Sequence, residues 1–188
     1  MKRISLIATL IICCLTCFAQ RPGTFRDPRD KKLYKTLRIV NQTWFIENLA
    51  FKAASGHYCV YDNDSVKAKK YGYLYDWETA KSVCPTGWHL PSKEEFVTLL
   101  VNNGGPGKKA YNALVADGKS GFSALLGGSF DDTFNGIGIE DKFWSSSLAG
   151  SGINWILEIG ENKGTRYAGM NSFNCEAQCK ISIRCIKN

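Results

Sequence analysis

The sequence predicts a single α+β domain in which two to three helices pack on an antiparallel sheet with long loops. Three observations carry this. A capping box at Ser92 opens a helix with one apolar face, helical periodicity stops after Gly121, and glycine-punctuated runs of aromatic and β-branched residues take over from there. Helices first and an antiparallel meander afterwards are the order of an α+β fold. Of 188 residues, 44% are hydrophobic and 22% charged, which excludes a disordered chain and leaves enough length for one core.

In chain order, Lys2 and Arg3 precede an uncharged apolar run from Ile4 to Phe18, followed by Ala19 and Gln20. This is the pattern of a signal peptide over residues 1–19, and it falls short of the roughly 20 residues that a membrane-spanning helix needs. A lipobox reading, with Cys17 as the acylated cysteine, ranks second because Cys14 sits where an aliphatic residue is usual. Either segment sends the protein out of the cytoplasm, to a periplasmic, cell-surface or secreted destination, with no transmembrane span. Cleavage after Ala19 removes two positive charges and lowers the formal charge from +7 to +5.

Residues 20–36 are charged, proline-bearing and poor in aliphatics, so they read as a flexible tether ahead of a domain spanning 37–188. Alternation on either side of Asn41-Gln42 predicts a hairpin. Residues 51–75 mix Asp62, Asn63, Asp64 and Gly72 with five tyrosines and read as an irregular packed loop. Asp76 can cap a short helix that Cys84-Pro85 ends. In the capping box, Ser92 accepts from the amide of Glu95 while Glu95 reaches back to Ser92, and Phe96, Leu99 and Leu100 share a face until Asn102-Asn103-Gly104-Gly105 stops the helix. A weaker helix fits 108–116. The stretch from Gly127 to Asp141 reads as a glycine-rich loop, and strands are expected at 143–147, 153–159, 165–168 and 181–186.

Export governs how the cysteines are read. Cys13, Cys14 and Cys17 lie in the leader, leaving Cys59, Cys84, Cys175, Cys179 and Cys185 as disulfide candidates. Five is odd, so at least one stays unbridged, and spacing alone does not choose the pairs. Among these five there is no Cys-x-x-Cys, and only two histidines, His57 and His89, exist in the chain, so no metal site is expected. Lysines and arginines are scattered, with Lys31-Lys32, Lys69-Lys70 and Lys108-Lys109 the densest pairs. No basic stripe forms, which argues against nucleic acid as a partner. No nucleophile stands beside a base at motif spacing, and His89 in Trp88-His89-Leu90-Pro91 reads as a packed, hydrogen-bonded residue.

A set of motifs now stands in order along the chain: Asn41-Gln42-Thr43-Trp44 with Glu47-Asn48-Leu49, Tyr71-Gly72-Tyr73-Leu74-Tyr75-Asp76-Trp77, Cys84-Pro85-Thr86-Gly87-Trp88-His89-Leu90-Pro91-Ser92, Phe143-Trp144-Ser145-Ser146-Ser147 and Ser182-Ile183-Arg184-Cys185. Together they resemble the Fibrobacter succinogenes major paralogous domain, a family of exported bacterial proteins, many from Bacteroidetes, without a defined biochemical role. The resemblance covers about residues 37 to 187. It implies a C-type lectin-like fold, related to formylglycine-generating enzymes, and a bridge between Cys84 and Cys185. A loop of that length, roughly 100 positions, is worth roughly 4.7 kcal/mol of chain entropy. Cys175 and Cys179 could then close a small local loop and leave Cys59 unpaired.

Three function classes follow. The first is a non-enzymatic recognition module that binds an envelope or extracellular glycan or protein through surface loops. Its candidate face joins Asp131 to Asp141 with Asn171 to Gln178, and its candidate ligand-binding residues are Asp131, Asp132, Phe134, Asn135, Asp141 and Phe173. The sequence calls for no cofactor. Calcium is the one ion considered, because Asp131, Asp132, Asn135 and Asp141 bring oxygens together, yet the Glu-Pro-Asn and Trp-Asn-Asp patterns of calcium lectins are missing and Ile153-Asn154-Trp155 runs in the wrong order. The second class is a structural envelope or matrix protein, with Cys59 as an intermolecular link. The third is an oxidase using Cys175 and Cys179, for which no surrounding residues match, and a structural disulfide is the preferred reading of that pair.

Overall fold

The computed structural model describes residues 22–175 and 178–188. The expected signal peptide and Cys17 lie outside the described residues. Among the described residues the architecture is α+β: two five-stranded sheets, one two-stranded ribbon and four α-helices. Among the described residues, no helix is long and apolar enough to cross a membrane.

The first sheet contains β1 (Pro22–Arg26), β2 (Leu33–Ile39), β3 (Gln42–Phe45), β6 (Trp88–His89) and β12 (Ile186–Lys187), in the order β1-β2-β3-β12-β6. β1 corrects the expectation of a flexible tether over 20–36: it pairs antiparallel with β2 from Pro22↔Leu37 to Arg26↔Leu33. The charges that suggested a tether satisfy one another. Asp27 is fully buried and receives the Arg29 guanidinium, with Nη2 2.7 Å from Oδ2 and Nε 2.9 Å from Oδ1. Arg29 also donates to the Val83 carbonyl and lies 3.7 Å over the ring of Phe51. Phe25 reaches Phe45 and Trp88, with ring centroids 5.8 and 5.3 Å away. The expected hairpin is present, Ile39 facing Gln42, and Val40 in its turn takes φ 58°.

Residues 58–75 are more regular than the sequence suggested. β4 (Tyr58–Cys59) pairs with β5 (Leu74–Tyr75), and between them lie a 3-10 turn (Tyr61–Asn63) and α1 (Ser65–Tyr71). Asp64 caps α1 by accepting from the Val66 amide at 2.8 Å, yet α1 buries none of its residues, so it has no apolar stripe to read. The next two helices fall where their caps place them: α2 (Trp77–Val83) under Asp76, and α3 (Lys93–Asn102) under the full Ser92–Glu95 capping box. α4 (Lys108–Leu114) buries Ala110, Tyr111, Ala113 and Leu114.

The second sheet holds β7 (Gly127–Asp131), β8 (Thr133–Ile137), β9 (Glu140–Gly150), β10 (Ile153–Asn162) and β11 (Thr165–Asn174), in the order β11-β10-β9-β7-β8. β9, β10 and β11 extend the expected strands. The stretch read as a glycine-rich loop is instead the hairpin β7–β8, with Asp132 at φ 56° in its turn. Lys163 and Gly164 both take positive φ, which suits a two-residue connection between twisted strands.

The expected strand at 181–186 behaves differently from the others. Ile181 bridges to Tyr75 and Ser182 to Phe143, the Ile183 and Cys185 carbonyls accept from Leu49 and Phe45, and only Ile186 joins a named strand there. This run threads between the two sheets, and every residue in it is buried. The core around it has two halves. Trp44, Phe96, Phe122, Phe143 and Leu157 pack under α3 and α4, while Phe45, Tyr75, Trp88, Trp144, Ile181 and Ile183 pack beside α2. The Cys84–Cys185 disulfide joins the end of α2 to this central run.

Candidate functional site

Two of the sequence motifs meet in a buried polar network. Arg184 is fully buried; its Nε donates to Asn48 Oδ1 at 2.6 Å, Nη2 to the Ser123 carbonyl at 2.7 Å and Nη1 to the Phe122 carbonyl. Asn48 donates in turn to the Tyr71 carbonyl, to Ser182 Oγ and to Asp141 Oδ2. Asp141 was expected in a surface oxygen cluster, and this is a correction: it is 0% exposed. Burial pushes its carboxyl up to about 6, against the opposing pull of Ser182, Arg184, the Gly127 amide and Asn48. Burial also lowers Arg184 to about 10, against the charges of Asp141 and Glu47. This network holds the core strands together and offers no surface to a ligand.

The other expected site residues are dispersed. Asp132 and Asn135 are exposed on the β7–β8 hairpin, where Asn135 Oδ1 accepts from Ser129 Oγ. Phe134 packs on Tyr61 and Phe130, at 5.0 and 4.9 Å between centroids, and covers the core. With Asp141 internal, Asp131, Asp132, Asn135 and Asp141 do not form one oxygen cluster. Among the described residues, no group of three or more His, Cys, Asp or Glu side chains comes together. Asp131 and Phe173 do approach a common region. Asp131 Oδ1 lies 3.5 Å from Cys179 Sγ, which is bridged to Cys175, and Phe173 packs against Trp144 in register with Asn154. His89 is hydrogen-bonded as expected, between Asn188 Oδ1 (2.7 Å) and the Glu95 carboxylate (2.9 Å), but its side chain is 40% exposed and not packed inside.

The region they approach is a cleft of about 340 Å³, lined by Asp76, Trp77, Glu78, Leu148, Gly152, Asn154 and the Cys175–Cys179 bridge. Ser145-Ser146-Ser147 lead into the lining residue Leu148. Ile156 faces Trp144 but Asn154 faces Leu148, so β9 bulges at the three serines. Each serine is tied down: the Ser145 carbonyl accepts from Trp77 Nε1 at 3.0 Å, the Ser146 amide donates to the Pro91 carbonyl, and Ser147 Oγ accepts from the Lys93 amide. The bulge leaves Asn154 in the cleft, 6% exposed, with a buried Oδ1 that has no hydrogen-bond partner. Trp44 Nε1 and Asp141 Oδ1 are likewise unpaired but lie in the core, whereas Asn154 lines a cleft; an unpaired buried polar atom costs about 1–3 kcal/mol.

On the opposite wall, Asp76 Oδ1 accepts from the Thr79 amide, and Glu78 pairs with Lys81, whose Nζ lies 4.3 Å over the Trp77 ring. A model of the Fibrobacter succinogenes major domain matches residues 37–187. The chain belongs to this family. No curated protein and no solved structure matches it. In this major domain the recognisable motifs therefore do two jobs: Asn48 with Ser182 and Arg184 secures the core, while the triple serine after Trp144 sets the register shift that brings Asn154 opposite Leu148. Sequence reasoning missed Asp76, Trp77, Glu78, Leu148 and Asn154 as a site. The signal available was the break in strand alternation at three consecutive serines, beside an Asp-Trp-Glu helix start.

Proposed function

We propose that this major domain is an exported, non-enzymatic recognition module of C-type lectin-like fold, which holds a glycan or a protein of the bacterial cell envelope in the Trp77–Asn154 cleft. The observation that carries this reading is the buried Asn154 amide oxygen, left unpaired in the wall of a cleft of ligand size. Export is supported by the apolar leader over residues 1–19 and by two disulfides, which persist in oxidising compartments. In this reading Cys175 and Cys179 wall the cleft and carry no redox chemistry. The dispersal of the hairpin oxygens favours binding without calcium.

A glycan and envelope-protein array, probed with the disulfide-intact chain in calcium and then in chelator, tests it. Binding that persists in chelator and is lost in Leu148→Lys, an exposed position, is the expected result. Binding that Leu148→Lys leaves intact would place the site elsewhere.

A further inference from the structure

Resting on the cleft reading above, we infer that its occupant is a neutral saccharide, gripped through hydroxyl groups, with Asn154 as the residue that selects it. The chemistry of the walls narrows the class. The unpaired Asn154 Oδ1 calls for a hydrogen-bond donor. A sugar hydroxyl supplies one and can accept in return from a neighbouring donor. A carboxylate only accepts and leaves that oxygen unpaired.

Charge narrows it further. Among the described residues, the charged side chains lining the cleft are Asp76 and Glu78, so an anionic ligand meets like charge there. Neither carboxylate calls for a full cation either, since Asp76 already caps α2 and Glu78 already holds Lys81 at 2.7 Å. Their remaining lone pairs are acceptors suited to neighbouring hydroxyls. The apolar share of the wall comes from Trp77, whose indole is fixed by the Ser145 carbonyl, and from Leu148, 56% exposed. Such surfaces match the C–H faces of a pyranose ring. A volume of about 340 Å³ lies at the small end of ligand pockets, which fits a mono- or disaccharide end group. The bulge and the Cys175–Cys179 bridge hold the walls in place before binding, which lowers the ordering cost that weakens small-ligand affinity.

The test is a titration of the ¹⁵N-labelled, disulfide-intact chain with cellobiose, mannobiose, N,N′-diacetylchitobiose, digalacturonate and a lysine-containing tripeptide, reading the Asn154 side-chain amide and the Trp77 indole resonances. At least one neutral disaccharide should shift both, and Asn154→Leu should weaken that binding about tenfold or more while leaving the rest of the spectrum folded. Leu148→Lys, on an exposed side chain, is the second variant and should also weaken it. Digalacturonate binding as tightly as a neutral sugar would overturn the inference. Shifts with the tripeptide alone would overturn the saccharide while leaving the cleft as the site. If no probe moved either resonance, both the saccharide and the cleft would be rejected.

Discussion

Replacing Arg184 with Met should be among the most damaging single changes in this domain. The guanidinium is fully buried and supplies hydrogen bonds to Asn48 Oδ1 and to the Phe122 and Ser123 carbonyls. Methionine fills similar volume along the aromatic rings of Phe122 and Phe143, which lie 4.7 and 5.5 Å from Cζ, so the apolar packing is largely kept. The loss is polar. Two buried acceptors and one half-buried one lose their donor, the buried ones at about 1–3 kcal/mol each before relaxation, and Asp141 loses the cation of the network. Removing one side of a buried charge arrangement costs about 3–5 kcal/mol in comparable cases, a large part of a domain's total stability of about 5–15 kcal/mol. Urea unfolding monitored by tryptophan fluorescence measures this. Adding Asp141→Asn to Arg184→Met should recover about 1–3 kcal/mol, because a neutral amide tolerates the loss of the cation, and the non-additivity is the coupling between the sites. If Arg184→Met cost under 1 kcal/mol, or the double mutant were simply additive, the network would not be holding the core as described.

Three further outcomes follow from the geometry. A carboxyl raised from 3.8 to about 6 on folding binds its proton more tightly in the folded state, so Asp141 should lower stability by about 3 kcal/mol as pH rises from about 4 to 6. Asp141→Asn should flatten that slope, and denaturation midpoints across the window read it; Asp27, held below its usual range by Arg29 despite burial, acts only at lower pH. Phe25→Ala should cost roughly 2–3 kcal/mol, somewhat under the figure for a wholly buried phenylalanine, whereas a loose tether would make it neutral. Removing Cys84–Cys185 by paired serine changes should cost about 4–5 kcal/mol, since it closes a separation of 101 residues, while the Cys175–Cys179 pair, four apart, should cost less than half of that; equal losses in thermal melts would contradict the loop-length argument.

Features written in neighbouring residues were readable from sequence. The Ser92–Glu95 box and the Asp76 cap define their helices within four positions, and the long meander of β9, β10 and β11 announces itself through turn glycines. The Cys84–Cys185 pairing came through the motif resemblance, because sequence spacing could not choose it. What escaped depended on partners far along the chain. β1 reads as a tether if Asp27 and Arg29 are solvated charges, but Arg29 closes onto Val83 and Phe51. Asp141 resembled its exposed hairpin neighbours, and only Asn48 and Ser182, roughly 93 and 41 positions away, draw it inside. Asn154 was invisible as a site residue because its position depends on a bulge in the facing strand.

The run from Ile181 to Ile186, set between the sheets, also determines when the molecule can become a molecule at all. Its partners Phe45, Leu49, Tyr75 and Phe143 are made long before it on the ribosome, and none can complete its pairing until these last residues arrive. Contacts of such separation are slow to form. A chain cut short before residue 181 should therefore be an unfolded substrate for proteases, with no partly functional fragment surviving.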